Sequence, residues 1–225
     1  MSSKRIKNAI SKIDSTKKYS IAEAVKLVKE TGQLKFDASM ELHINLNIDV
    51  KKSDQQVRGS LKLPNGTGKT RKVAAFVGPD KVKDAKEAGA YLVGGEELIE
   101  QIKKGGKIDF EVAVATPDMM PKMAVIAKTL GQKGLMPNPK SGTITTDIRR
   151  VVTDLNTGLV SFKNDAGGGL HCGVGKLSFA DEKLEENVKT FIDEVKKMKP
   201  DGVKGTFIKS AYVTSTMGPS IALAF

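Results

Sequence analysis

Phe36-Asp37-Ala38-Ser39-Met40-Glu41-Leu42-His43-Ile44-Asn45-Leu46-Asn47-Ile48 is the stretch on which the fold turns. Phe36, Ala38, Met40, Leu42, Ile44, Leu46 and Ile48 occupy every second position, and the positions between them are polar. A period of two belongs to an extended chain whose side chains alternate between faces. A long strand with one buried and one polar face is therefore expected here.

Working outward, the flanking sequence has the same style. Lys4 to about Ile13 reads as a helix. A second helix opens on the capping box Ser20-Ile21-Ala22-Glu23 and stops at Gly32. Val57 to Leu63 reads as a strand ended by Pro64-Asn65-Gly66-Thr67-Gly68. The far end of the chain returns to this pattern, with strands expected at Leu159–Lys163, Leu170–Phe179 and Thr206–Thr214. Between the last two lies a helix from Asp181 to Lys197, with Asp181 as its N-cap. Its apolar stripe is Leu184, Val188, Phe191, Ile192, Val195 and Met198.

The middle differs. Val73-Ala74-Ala75-Phe76-Val77 is short and continuously apolar, the mark of a strand covered on both faces. Helices at Pro79–Ala88, Glu96–Lys104 and Asp118–Thr129 alternate with strands at Tyr91–Val93 and Phe110–Ala115, and Ile148–Leu155 adds another helix. Such alternation implies βαβ units around a mostly parallel sheet. The fold class is thus α/β with two domains. A discontinuous α+β domain takes residues 1–66 and 159–225, and a Rossmann-like α/β domain, 67–158, is inserted into it. Breakers at Pro64–Gly68 and Thr153–Gly158 mark a two-strand hinge that would let the domains rock.

Composition narrows the partners. The 225 residues carry a net charge of +11, which favours a polyanion. Residues 1–66 hold 13 Lys/Arg against 7 Asp/Glu and residues 67–159 hold 15 against 11, so a folded surface and not a tail presents the excess. A single cysteine, Cys172, excludes an internal disulfide and suits a reducing compartment. No apolar run approaches membrane length, and a cytosolic protein without a membrane partner is expected.

The motifs that suggest catalysis fail on spacing. Gly66-Thr67-Gly68-Lys69-Thr70 would need a glycine at position 63, where Leu63 stands, and it runs into a strand and not a helix. Gly167-Gly168-Gly169-Leu170-His171-Cys172-Gly173-Val174-Gly175-Lys176 matches no dinucleotide spacing. His171 and Cys172 are adjacent on a strand and point to opposite faces, so they cannot pair as base and nucleophile. Two histidines and one cysteine cannot make an all-His/Cys zinc site. Neither a cofactor nor a metal is expected. An enzyme using the middle domain as a nucleotide site is the competing hypothesis, and it lacks these parts.

With no tryptophan and 5% aromatics, a platform that stacks several bases does not fit, whereas shape and backbone recognition of folded RNA does. Candidate groups are Lys35, Phe36, Ser39 and Glu41 at the start of the long strand, His171 and Lys176, and Thr216-Met217-Gly218 after the last strand. Each has an ordinary reading too: Phe36 as core, Lys35 as a solvated cation, Ser39 and Glu41 as polar-face residues, His171 as a structural histidine, Met217-Gly218-Pro219 as a turn.

Leu130-Gly131-Gln132-Lys133-Gly134-Leu135-Met136-Pro137-Asn138-Pro139-Lys140-Ser141-Gly142-Thr143 is a stiffened basic loop with no carboxylate. Its wording resembles the signature of the ribosomal protein L-one family, large-subunit protein one of the bacterial type. Lys52-Ser53-Asp54-Gln55-x-Val57-Arg58-Gly59, Leu63-Pro64-x-Gly66-Thr67-Gly68, His171-x-x-x-Gly175-Lys176 and Ser215-Thr216-Met217-Gly218 resemble family motifs in the same order. The resemblance implies the two-domain plan, a non-enzymatic protein that is monomeric when free, and a place on the cytoplasmic ribosome. It implies binding to the mobile stalk of large-subunit ribosomal RNA, contact with deacylated transfer RNA at the exit site, and repression of its own messenger. Carried over by motif, the RNA contacts are Lys35, Phe36, Ser39, Glu41, His171, Lys176, Thr216, Met217 and Gly218. Lys133 and Lys140 are secondary phosphate contacts, with Gln132-Lys133 standing where the family usually has proline and arginine.

Overall fold

The computed structural model describes residues 4–105 and 108–225. Along the chain run α1 (Lys4–Ile10), α2 (Ile21–Thr31), β1 (Ser39–Leu46), β2 (Arg58–Lys62), β3 (Val73–Phe76), α3 (Val82–Glu87), β4 (Leu92–Gly94), α4 (Glu96–Lys103) and β5 (Val112–Ala115). They are followed by α5 (Met120–Met123), α6 (Ala127–Gln132), α7 (Ile148–Thr157), β6 (Leu159–Lys163), β7 (Gly169–Lys176), α8 (Asp181–Lys197), β8 (Ile208–Ser215) and β9 (Ile221–Ala222). The chain divides into two compact units. The terminal unit comprises the described parts of Met1–Gly68 together with Val160–Phe225, and the inserted unit is Lys69–Leu159.

The terminal unit is organised by a four-stranded sheet in the order β7-β1-β8-β9. β1 pairs antiparallel with both β7 and β8. Met40, Leu42, Ile44 and Leu46 of β1, Leu170, Cys172 and Val174 of β7, and Ala211 and Val213 of β8 are buried against α2 and α8. Those helices contribute Val25, Val28, Leu184, Val188, Phe191, Ile192 and Val195 to the same core. Each fully buried Leu, Ile or Phe stabilises the unit by roughly 1.5–3 kcal/mol relative to exposure, so the one-sided pattern fixes the strand register strongly. α2 is closed at both ends: Ser20 and Glu23 form the reciprocal capping box, and Gly32 N–H donates to the Val28 carbonyl.

β2 and β6 form a separate two-stranded ribbon, next to the two points where the chain passes between units. The segment after β2 is pinned by Asn187 of α8, which is wholly buried. Its amide donates to the carbonyls of Gly66 (3.0 Å) and Val174 (2.7 Å), and its Oδ1 accepts from Asn65 N–H (3.1 Å).

The inserted unit holds a three-stranded sheet, β4-β3-β5, with both pairings parallel. Ala74, Phe76, Ala113 and Ala115 face one apolar cluster with Ile99, Ile102, Met123, Ile126 and Leu130. Val73, Ala75, Val77 and Val114 face another with Ala85, Ile148, Val152 and Leu155. Helices cover both faces, which is why these strands are continuously apolar.

Several local expectations need correction. β1 begins at Ser39, and Phe36 lies ahead of it, 56% exposed. Asp37 explains the change, because its carboxylate accepts from the amide and hydroxyl of Ser178 and draws the chain out of the strand. Asp181 is the first helical residue of α8 and not its cap, and its carboxylate pairs with Lys29 of α2. The helix expected over Asp118–Thr129 is broken into α5 and α6 by 3₁₀ turns at Pro117–Met119 and Ala124–Ile126. The glycine-proline segment begins inside α6, since Leu130, Gly131 and Gln132 are helical. α7 runs through Asn156 and Thr157 to a cap at Gly158. β9 was not expected from sequence.

Candidate nucleic-acid interface

One end of the terminal sheet collects most of the candidates. Ser39, the first residue of β1, pairs with Lys176 at the end of β7, and Met40 pairs with Ser215 at the end of β8. Thr216 N–H donates to the Ser39 carbonyl (2.9 Å), and Ser39 N–H donates to the Thr216 hydroxyl (3.2 Å). Lys176 Nζ donates to the carbonyl of Asp37 (3.0 Å), which holds the segment carrying exposed Lys35 and Phe36 beside the end of β7. Ser39 itself is buried, so it contributes to this end chiefly through its backbone.

The turn after β8 is unusual. Met217 has φ 62, the only positive φ at a non-glycine among the described residues, and its side chain is 70% exposed. A left-handed conformation costs an L-residue roughly 1–2 kcal/mol, so something must hold it. Gly218 N–H donates to the Ser215 carbonyl (2.8 Å) and closes the turn. A Cβ on Gly218 would lie 2.1 Å from the Ser215 hydroxyl oxygen, so a side chain there would force that hydroxyl to move. Met217 and Phe36 are apolar side chains held in water at a strand end rimmed by Lys35 and Lys176. That combination offers apolar contact next to positive charge.

His171 lies elsewhere on the same sheet. It pairs with His43 in the middle of β1, and His43 pairs in turn with Tyr212 of β8. Four residue steps along β1 separate this row from Ser39, on the order of 13 Å. His171 is exposed and Cys172 buried, on opposite faces as adjacent strand residues must be. The Nδ1 atoms of His43 and His171 are 2.8 Å apart, so one ring donates and the other accepts. Glu41 lies 3.8 Å from His43 Nε2, and Asp165 lies 3.3 Å from His171 Nε2. Burial holds the His43 pKa below its usual 6.5, and the charge of His171 pushes the same way against Glu41. The Asp165 carboxyl is held low by Gly169 N–H, then by His171 and by Gly167 N–H.

His43 and Tyr212 were not among the sequence candidates. The alternation put His43 on the polar face two residues from Glu41, but only the register makes it a neighbour of His171. Arg5 was also missed, although its guanidinium reaches the turn at Met217.

The remaining candidates belong to the inserted unit. Lys133 is exposed at the C-terminal end of α6. Lys140 has its backbone in a 3₁₀ turn at Pro139–Ser141, and its side chain lies outside the described residues. The loop that carries them is internally bonded. Asn138 N–H donates to the Thr143 hydroxyl (2.8 Å), that hydroxyl lies 3.2 Å from the Asn138 carbonyl, and Gly142 takes φ 67 to close the ring. The loop then docks on the sheet: Ala115 N–H donates to the Thr143 carbonyl and Thr145 N–H returns to Ala115. This packing accounts for the glycine at position 142.

Among the described residues no group of three or more His, Cys, Asp or Glu is arranged to hold a metal, and no helix is long and apolar enough to cross a membrane. The molecule is a mixed α/β protein of two compact units with a polar sheet face and an apolar, basic strand end exposed to solvent. The chain belongs to the ribosomal protein L1p/L10e family, whose sequence pattern matches residues 26–219. It is 49% identical over 223 residues to the large ribosomal subunit protein uL1 of Mycoplasma capricolum subsp. capricolum, covering 99% of this chain and 98% of that one. It is also 49% identical over 219 residues to the proteins of that name from Thermosipho melanesiensis and Streptococcus thermophilus. Those matches cover 97% of this chain and 94% and 95% of theirs. The family is one of structural ribosomal proteins and not of enzymes.

Proposed function

We propose that the chain is a structural constituent of the large ribosomal subunit in the cytoplasm, binding the mobile stalk of large-subunit ribosomal RNA beside the exit site. The contacts assigned to RNA are Lys35, Phe36, Ser39, Glu41, Lys176 and Thr216–Gly218, with His171 further along the sheet. In this reading the stalk carries the protein against deacylated transfer RNA and assists its release. The two chain crossings act as a hinge between the units, and Lys133 and Lys140 make secondary phosphate contacts. A stalk-like fold in its own messenger would occupy the same surface, so that excess free protein, a monomer, represses its synthesis.

The observation that carries this reading is the convergence of exposed Phe36 and Met217 with Lys35 and Lys176 at one strand end. Lysines supply affinity through phosphate neutralisation, while a rigid turn and two apolar side chains supply shape selection.

The test is binding of the purified protein to a stalk fragment of large-subunit RNA, with its operon leader as the second arm. Affinity should fall steeply with salt, log K dropping by roughly 0.7–0.9 per neutralised phosphate for each unit of log[salt]. A flat salt response would sink the reading. Met217→Ala should cost about 1–3 kcal/mol of binding with folding intact. Thr216→Val should cost both binding and stability, because the hydroxyl also ties β8 to β1. Equal binding by wild type and Met217→Ala would reduce the strand end to an ordinary turn.

A further inference from the structure

Arg5 stands on α1, 212 residues from the turn it touches. Its Nη2 donates to the carbonyl of Met217 at 2.7 Å. Its Nη1 is shut off from solvent and has no hydrogen-bond partner among the described residues, so the guanidinium is packed against protein rather than extended into water. The residue it grips carries the one left-handed non-glycine backbone among the described residues, at the most exposed large apolar side chain.

We infer that Arg5 is a positioning residue for RNA binding: α1 clamps the Met217 carbonyl and keeps the turn in its strained, binding-ready form. The inference rests on the proposed RNA reading of that turn. The physical basis is the cost of preorganisation. Met217 left to itself would relax toward ordinary backbone, and affinity is reduced by the fraction of molecules outside the competent form. A charge-assisted hydrogen bond to the strained peptide's own carbonyl opposes that relaxation directly. Ser215, Gly218 and Thr214 close the turn from within β8 and its continuation. Ser39 of β1 ties down Thr216 from a neighbouring strand, and Arg5 is the restraint from α1 that acts on the Met217 carbonyl itself. It makes the N-terminal helix part of the binding apparatus without assigning it a contact with RNA.

The experiment compares the full chain with Arg5→Ala and Arg5→Lys. Two readouts are taken: affinity for the stalk RNA fragment as a function of salt, and amide hydrogen exchange of Gly218 in the free protein. Arg5→Ala should weaken binding about tenfold with a salt slope changed by less than one phosphate's worth, and Gly218 exchange should quicken. Arg5→Lys, which keeps a donor and a charge, should recover most of both.

Unchanged affinity in Arg5→Ala while wild type binds would overturn the clamp and leave the RNA reading standing. A salt slope lowered by about 0.7–0.9 with unaltered Gly218 exchange would make Arg5 a phosphate contact, and would also overturn it. If wild type itself fails to bind, the RNA reading falls, and with it the role assigned to Arg5.

Discussion

In β1 of the terminal unit Leu42 is buried and its neighbour His43 faces the open side of the sheet; in β3 of the inserted unit Ala74, Ala75 and Phe76 are all buried. One sheet has a free face and free strand ends, and the other is closed by helices on both sides. The difference separates where binding can occur from what must simply hold together. A half-covered sheet keeps polar and strained residues at the surface, where a ligand can reach them. A doubly covered sheet spends its strand residues on packing, leaving only loops and helix ends for contact.

The sharpest way to break this comparison is to damage the closed sheet. Phe76→Ala removes a fully buried ring of β3 from the cluster with Ile99, Ile102, Met123 and Leu130, and should destabilise the inserted unit by about 3–5 kcal/mol. Calorimetry should show that loss while affinity of the terminal unit for stalk RNA stays within about threefold. A parallel collapse of binding would mean the units are not separable in function. Next in size is Asn187→Ala. It strands the buried carbonyl of Val174, which costs roughly 1–3 kcal/mol without a partner, and frees the part-buried carbonyl of Gly66 and amide of Asn65. A loss of about 2–4 kcal/mol is expected in urea denaturation, and a negligible one would show that water replaces the amide.

A smaller effect concerns the open face. The neutral form of His43 is favoured in the folded protein, so the unfolded chain binds more protons as pH falls below about 6.5. The stability contributed by neutral His43 is complete above that pH and is lost as pH drops through its lower native value. His43→Asn should flatten this part of the pH–stability profile, and an unchanged profile would show that His43 is not its source. The smallest effect is expected at Lys133→Ala, where RNA affinity should fall about twofold and the salt slope by at most one phosphate. A tenfold loss would move the main anchor to the inserted unit.

Periodicity carried most of the fold. The alternation around Leu42, the continuous run at Val73–Val77, the capping box at Ser20 and the stripe of α8 each announce a local structure, because side-chain spacing alone decides which face is buried. The candidate site was legible in parts. Lys35, Lys176 and Met217 stand at strand ends by sequence reading; the alternation puts Phe36 on the buried face while the family motif makes it an RNA contact, and only Asp37 bonded to Ser178 shows why it leaves the strand. β9 was missed because two residues carry no period.

The sequence by itself determined the alternation of one-sided and two-sided strands, the excess of positive charge and the motifs that place the chain in its family. Those are local or additive properties. Tertiary structure decided which distant groups meet: His43 against His171, Asn187 against the Pro64–Gly68 segment, and Arg5 against the carbonyl of Met217. Such meetings depend on strand register and helix docking, which are set by the whole core and by no short stretch of chain.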